Sequence, residues 1–438
     1  MKNKETVKTL QEQFSRLSGI LLENLSAKDA ESNIVFSPYS VFTLLALAAD
    51  ASVGRTREEI TDVLVNGTDF DRVLETLTDI RNQLIAGRAF TTANAVIVRE
   101  DKKASINPDY PAHLRRTFDG ELFAAGDMVA AVNRWVQRKS KGMIPEIADE
   151  TMREMLLCLL NACSFIAKWE KEYEYRDIRN LDFHNRDGSV SRVKVLNSLE
   201  KTYIEDEHFI GFARPYKGGQ FSYVVLLPKE GVTLTEELLS SIDYSALLKG
   251  KENTEALVLM PEFQITSDVD LTGLCRELGI RTIFTPEADL TPVSSEWLRA
   301  EGILHKAHIE VDREGTKAAA VSMMYMIAGC APSELPEIID VDVDRPFLYA
   351  IVHHESGLPV FVGAVNHLEP FDGDDNLTDE EKEALCKPVY DRICKMILDE
   401  DGLVLVELDY RIYDMVAEAY ESHDLKTLKE LEMELGKL

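Results

Sequence analysis

Residues 305–330 read HKAHIEVDREGTKAAAVSMMYMIAGC. After Gly315, one parity carries Thr316, Ala318, Ala320 and Ser322, all small or hydroxyl-bearing, while the charge of Lys317 falls on the other. Met324 and Met326 continue the first parity with flexible apolar side chains. Successive strand residues face opposite ways, so one face of this segment is fit to enter the middle of a sheet, where an unpaired charge would cost several kcal/mol. From Ala328 to Leu335 the chain then holds small residues, one proline and few packing groups. This latent strand, followed by a weakly packing connector, is the feature that determines the fold.

The flanks supply sheets for such a strand. From Met155 onward, MLLCLLNACSFIAKW (155–169), YVVLLP (223–228), EALVLMPEFQI (255–265), FLYAIVHH (347–354) and LPVFVGAV (358–365) are apolar or β-branched runs bounded by proline, glycine and charge. Gly218-Gly219 reads as a hairpin turn between two such runs. The first third reads mostly helical. Val7, Leu10, Phe14, Leu17, Ile20 and Leu21 recur at helical spacing, Val41 to Ala49 is apolar, Thr56 is placed to cap REEITDVL, and MVAAVNRWVQRKSKGMIPEI predicts a helix ended near Pro145. The expected class is α+β, with N-terminal helices packed on large, mostly antiparallel sheets.

Composition narrows the function by exclusion. The 438 residues carry 48 Lys+Arg against 77 Asp+Glu, a formal charge of −29, so nucleic acid and anionic membrane are poor partners. No run of 18 apolar residues exists, and the N-terminus lacks an apolar leader core, so the chain as numbered is expected to be cytoplasmic, or secreted if a leader was removed. None of the six cysteines forms a C-x-x-C pair; Cys158 and Cys163, an odd number apart, face opposite ways if they share a strand. No G-x-S-x-G, H-E-x-x-H, Walker A or G-x-G-x-x-G motif occurs, so no catalytic residue and no cofactor are expected, and an enzyme is not. No metal site is expected either. His353-His354-Glu355 would place adjacent ligands on opposite faces. Asp372, Asp374, Asn376 and Glu383 have calcium-loop offsets, but Leu377 stands where the turn needs glycine. After Pro370 the chain becomes more acidic, with 20 acidic and 8 basic residues, a net of −12 that leaves −17 for the remainder. Thr378 with Glu381 has capping-box spacing, LVLVEL predicts one strand, and Leu425, Leu428, Leu431 and Leu435 form a helical stripe. Residues 371–438 are thus expected to be an acidic, mostly helical extension.

Residues 1–370 resemble the serpin family, whose motifs occur in order. NIVFSPYS (33–40) resembles N-I-x-x-S-P-x-S. NACSFIAKWEKEYEYRDIRNLDFH (161–184) resembles N-A-x-x-F-x-G-x-W-x-x-x-F…D-F-H. HKAHIEVDREGTKAAA (305–320) resembles H-K-A…E-E-G-T-x-A-A-A, and DRPFLYAIVHHESGLPVFVGAV (344–365) the family's last strands. The stretch from Tyr216 to LLP completes five matches in register.

The resemblance implies a serpin fold with an exposed reactive-centre loop, here about 315–343, and suicide inhibition of a serine protease. The protease cuts the loop and is acylated by it; the freed loop inserts into the central sheet and drags the protease away, leaving a covalent acyl complex. Loop insertion in serpins is a recognised form of strand addition to a sheet. By the resemblance, Gly315, Thr316, Ala318, Ala319 and Ala320 form the hinge. The scissile bond is Gly329–Cys330, with Ala328–Gly329 as neighbour because the loop is several residues longer than usual. Either bond puts a small residue in the protease pocket, which favours elastase- or subtilisin-like targets; Tyr325 or Met326 would suit chymotrypsin-like ones. Ser37, Ser40, Asn161 and His305 match the polar cluster that controls sheet opening. The protein is expected to act as a monomer. A non-inhibitory serpin that binds or chaperones another molecule is the alternative, but its hinge usually carries charge, proline or bulk.

Five positions depart from the family pattern. Arg313 and Glu262 stand where Glu and Lys are usual, so an ion pair of swapped polarity is expected where the loop enters the sheet. Tyr173 replaces Phe, Ala167 replaces Gly, and Ile178 stands where Thr is common.

Overall fold

The computed structural model describes residues 2–65, 67–144, 146–173, 177–301, 303–316, 336–370, 386–394, 410–421, 427–429, 431 and 435. Helix α1 (Lys2–Lys28) buries Leu10, Phe14, Leu17, Ile20 and Leu21 along one stripe. Helix α2 (Pro38–Asp50) starts on the Ser37 side chain, which accepts the Ser40 N–H, and is buried from Pro38 to Ala49. Then follow α3 (Gly54–Val65), α4 (Phe70–Ala86), α5 (Tyr110–Phe118) and α6 (Met128–Lys139). Two helix boundaries differ from expectation. Thr56 lies inside α3 rather than capping it, because its hydroxyl is used in a tertiary contact, accepting the Asp289 N–H. Helix α6 stops at Lys139, well before Pro145, because Lys141 and Gly142 turn with φ of 56° and 84°.

The strands in chain order begin β1 (Ile34–Phe36), β2 (Phe90–Arg99), β3 (Gly120–Ala125), β4 (Leu157–Phe165), β5 (Ala167–Lys168) and β6 (Ile178–His184). They continue β7 (Val190–Glu200), β8 (Thr202–Glu205), β9 (Phe209–Pro215), β10 (Phe221–Pro228), β11 (Thr254–Pro261) and β12 (Phe263–Asp270). Last come β13 (Leu304–Val311), β14 (Gly315–Thr316), β15 (Glu337–Asp342), β16 (Phe347–His353) and β17 (Pro359–Val365). Strands β2 and β3 lie in the third of the chain that reads as helical. The polar start FTTAN hides the apolar run AVIV of β2, which declares itself only by pairing along β4, Asn94 opposite Asn161.

An antiparallel sheet ordered β1-β17-β16-β10-β9-β8 is buried almost throughout. Gly218 and Gly219 turn β9 into β10 with φ of 95° and 67°, the hairpin expected there. A second sheet, β15-β11-β7-β6, contains one parallel pair, β11 with β15. The third layer comes in two pieces, β3-β2-β4 and β12-β13-β14-β5. The main core lies among these sheets and α1–α5, and a smaller one joins Ala95, Ile97 and Leu160 to Val132, Trp135 and Val136 of α6.

In the extension, residues 386–394 and Tyr410–Glu421 are helical. Cys386, Val389, Ile393, Val416, Ala419, Leu428, Leu431 and Leu435 form an apolar core there, and Tyr390 stacks on Tyr420 at 4.2 Å. Leu428, Leu431 and Leu435 thus sit in a packed interior. Thr378, Glu381, LVLVEL and Leu425 lie outside the described residues. No helix among those described is long and apolar enough to cross a membrane.

Candidate functional site

Among the described residues, the divided layer leaves a slot one strand wide. Strand β5 continues the line of β4, and β14 lies between β5 and β13: Gly315 pairs with Lys168, Thr316 with Ala167, and Val311 with Thr316, all antiparallel. Beyond Thr316 no described strand fills the space between β4 and β13. A cavity of about 560 Å³ opens lower in that gap, with Leu157–Leu160 of β4 on one wall and Ile303, just ahead of β13, on the other. Chain continuing from Thr316 in the same direction would run antiparallel to both walls. The slot length, set by β4, is about 30 Å at roughly 3.3 Å per residue.

Local chemistry starts that strand. At the end of β13, Asp312 Oδ1 accepts the Glu314 N–H (2.8 Å) and the Gly315 N–H (3.0 Å), closing a turn that reverses the chain. Burial pushes the Asp312 carboxyl above its ordinary value, against the lowering effect of those N–H groups. Gly315 sits at φ 153°, and a Cβ there would clash with the Ala167 carbonyl oxygen. Only glycine fits. Thr316 is 3% exposed, and its Oγ1 meets the Tyr216 hydroxyl at 2.7 Å. Tyr216 stacks at 4.7 Å on Trp169, whose Nε1–H donates to the Asp312 carbonyl (2.9 Å).

The four residues expected to control sheet opening meet. Ser37 N–H donates to His305 Nε2 on β13 (3.0 Å), Ser40 N–H to Ser37 Oγ (3.1 Å), and Ser40 Oγ to Asn161 Oδ1 on β4 (2.5 Å). Asn161 Nδ2 in turn donates to Asn94 Oδ1 (2.8 Å) and Thr92 Oγ1 (3.1 Å) on β2. The start of α2 thus pins both walls of the slot. Burial pushes His305 down to about 4, so the ring is neutral and free to accept. Asn94 and Thr92 are silent in the sequence because nothing marks them until β2 is paired with β4.

Glu262 and Arg313 also meet, but through the backbone: Glu262 Oε1 accepts the Arg313 N–H at 2.9 Å, and the Arg313 guanidinium bridges Glu314. Burial raises the Glu262 carboxyl above its ordinary value, opposed by that N–H. Ala167, the departure from glycine, pairs with Thr316, and its carbonyl is the atom that confines Gly315. Nothing in the structure explains Ile178. Ala318, Ala319, Ala320, Ala328, Gly329 and Cys330 lie outside the described residues.

The candidate metal groups are used otherwise. His353 is buried and meets Ser356 Oγ at 2.9 Å, while His354 meets Ser222 Oγ at 2.8 Å. Asp372, Asp374, Asn376 and Glu383 lie outside the described residues, among which no three His, Cys, Asp or Glu converge to hold a metal. Cys158 packs with the core under α6 and Cys163 with the main core, opposite faces as their parity required.

A family model described as serpin (serine protease inhibitor) matches residues 12–368. Plasminogen activator inhibitor 1 of Sus scrofa is 28% identical over 359 residues, spanning 78% of this chain and 87% of that protein. The native-state structure of Tengpin, a thermophilic serpin, superposes with a TM-score of 0.72 at 26% identity, covering 83% of this chain and 94% of that one. Thyroxine-binding globulin in complex with thyroxine shares the fold, with a TM-score of 0.70 at 19% identity over 82% of this chain and 99% of its own.

Proposed function

The chain belongs to the serpin family, and from that premise we propose that it inhibits serine proteases as a suicide substrate, trapping the acyl-enzyme by inserting its reactive loop into the slot. One observation carries this reading: the hinge residues Gly315 and Thr316 already lie as the start of a strand between β5 and β13, bonded on both sides. The chemistry follows from the loop. The protease serine oxygen attacks the carbonyl carbon of Gly329 (or Ala328), the peptide bond to the next residue breaks, and the freed nitrogen takes a proton and leaves with the C-terminal part. The N-terminal part stays esterified to the protease. From Thr316 to Gly329 there are 14 residues, about 45 Å of strand. That length exceeds the roughly 30 Å slot, so their insertion carries the ester to its far end while the loop's other end stays on β15. Displacing catalytic groups by 1 Å can cost about 10²-fold, and losing one oxyanion donor about 10²–10³-fold, so a dragged protease deacylates very slowly. The small residue at the cut favours elastase- or subtilisin-like targets.

A second class, binding without inhibition, has no observation in its favour here, since Thr316 carries neither charge nor bulk and is already seated. The test is incubation with elastase-, subtilisin-, chymotrypsin- and trypsin-like proteases. A complex that survives denaturing gels, with a released fragment whose mass begins at Cys330 or Gly329, is expected with the first two. Cleavage by all four without any complex would move the protein to the binding class.

A further inference from the structure

Below the hinge lies a buried ion pair that the loop chemistry does not call for. Arg214 on β9 and Glu200 on β7 are 5% and 4% exposed, and they bond through Nη1 and Oε1. Arg214 Nη2 also donates to the Lys171 carbonyl, and the guanidinium lies 3.9 Å from the Tyr173 ring centre and 5.2 Å from that of Trp169. The departure of residue 173 from Phe to Tyr acquires a reason here. The Tyr173 hydroxyl meets Ser198 Oγ at 3.1 Å, and Ser198 Oγ donates to Glu200 Oε1 at 2.6 Å.

The position of this network is as telling as its chemistry. On one side Glu200 pairs with Ala256 of β11, and Ala256 with Ile339 of β15, the strand on which the loop ends. On the other, Arg214 lies against Trp169, which holds the Asp312 carbonyl and the Tyr216 ring bonded to Thr316. The two ends of the loop are therefore joined through one desolvated charge pair. Two charges this buried stabilise a protein little compared with well-packed apolar residues, which argues for a role other than bulk stability.

We propose that the Glu200–Arg214 pair is a positioning clasp that couples the far strand of the loop to its hinge and holds the uncut protein in the split-sheet state. Spontaneous insertion of an uncut loop requires β15 to come away from β11 while Thr316 draws more chain into the slot. The clasp opposes this by fixing both at once. A cation held close to two aromatic rings while its two terminal nitrogens donate to different oxygens suits arginine and not lysine. The inference rests on the reading of the loop as an inserting segment.

The test compares Arg214→Met, Glu200→Met, the double variant and Tyr173→Phe with the parent at a temperature just below unfolding. The quantity read is the rate at which the loop becomes resistant to a broad-specificity protease while the molecule becomes heat-resistant. Loss of a charge-assisted bond predicts conversion about tenfold faster or more in the first three variants, and about threefold faster in Tyr173→Phe. Removing both charges together relieves the unpaired ion, so the double variant is expected to unfold near the parent temperature yet still convert fast. Parent-like conversion in the double variant, or in Tyr173→Phe, would overturn the clasp. If the parent itself gains no heat resistance when its loop is nicked, it is the insertion reading that has failed.

Discussion

Thr316→Arg is expected to turn the inhibitor into a plain substrate. The side chain at 316 enters a site only 3% exposed, between the β5 and β13 backbones and against Tyr216. An unpaired guanidinium there costs several kcal/mol, and each 1.36 kcal/mol slows a step tenfold. Insertion slowed about 10²-fold or more loses its race with deacylation, so the protease is released with the loop cut. The gel readout is a fall of about 10²-fold in complex formed per loop cleaved, with the cleavage rate itself unchanged. Thr316→Val removes only the bond to Tyr216, worth about 0.5–1.5 kcal/mol, and should shift the partition a few-fold. Gly315→Val should behave like the arginine variant, because its Cβ would clash with the Ala167 carbonyl and lie 2.6 Å from Lys168 Cα. Undiminished complex formation by Thr316→Arg would mean that residue 316 is not the first residue inserted.

Acid is expected to loosen the slot through His305. Its folded value of about 4 lies below the ordinary 6.5. Between those values the unfolded chain binds a proton that the folded protein refuses, so stability rises with pH across this window and is complete above about pH 6.5. As the pH falls from 6.5 to 4, this one site is expected to remove about 3 kcal/mol. Protonation also ends acceptance of the Ser37 N–H, the link between α2 and β13. His353, likewise pushed down to about 4 by burial, titrates in the same window, and burial raises the Glu262 and Asp312 carboxyls toward or into it. The comparison is therefore between the parent and His305→Gln. Denaturant unfolding at steps of pH should give the parent the steeper dependence, by up to about 1.4 kcal/mol per pH unit. Identical slopes would remove His305 from the account.

Much of this is legible in the sequence where a residue's chemistry is local. The parity of Thr316 is set by its immediate neighbours, and the serpin resemblance rests on such short matches, whereas the need for glycine at 315 comes from the Ala167 carbonyl on a distant strand. Ser37, Ser40, Asn161 and His305 come as a group from that resemblance, and the structure brings them within one hydrogen-bonded chain. What stays hidden depends on pairing across long separations. Strand β2 opens with polar residues because Thr92 and Asn94 face the polar cluster, so its alternation looks broken until β4 lies beside it. Arg214 and Glu200 look like ordinary surface charges in the sequence, and only the packing of β9 on β7 buries them. The expected side-chain pairing of Glu262 with Arg313 puts the right residues together, but not the backbone N–H through which they bond.

The most direct test of the insertion account needs no knowledge of the target. Any protease that nicks residues 317–335 frees the loop, and thermal unfolding is then compared before and after the cut. A seated strand adds roughly ten backbone hydrogen bonds at about 1 kcal/mol each, which for a domain of this size corresponds to a rise of about 10 °C or more. A cut protein that unfolds at the parent temperature, or below it, would contradict the account.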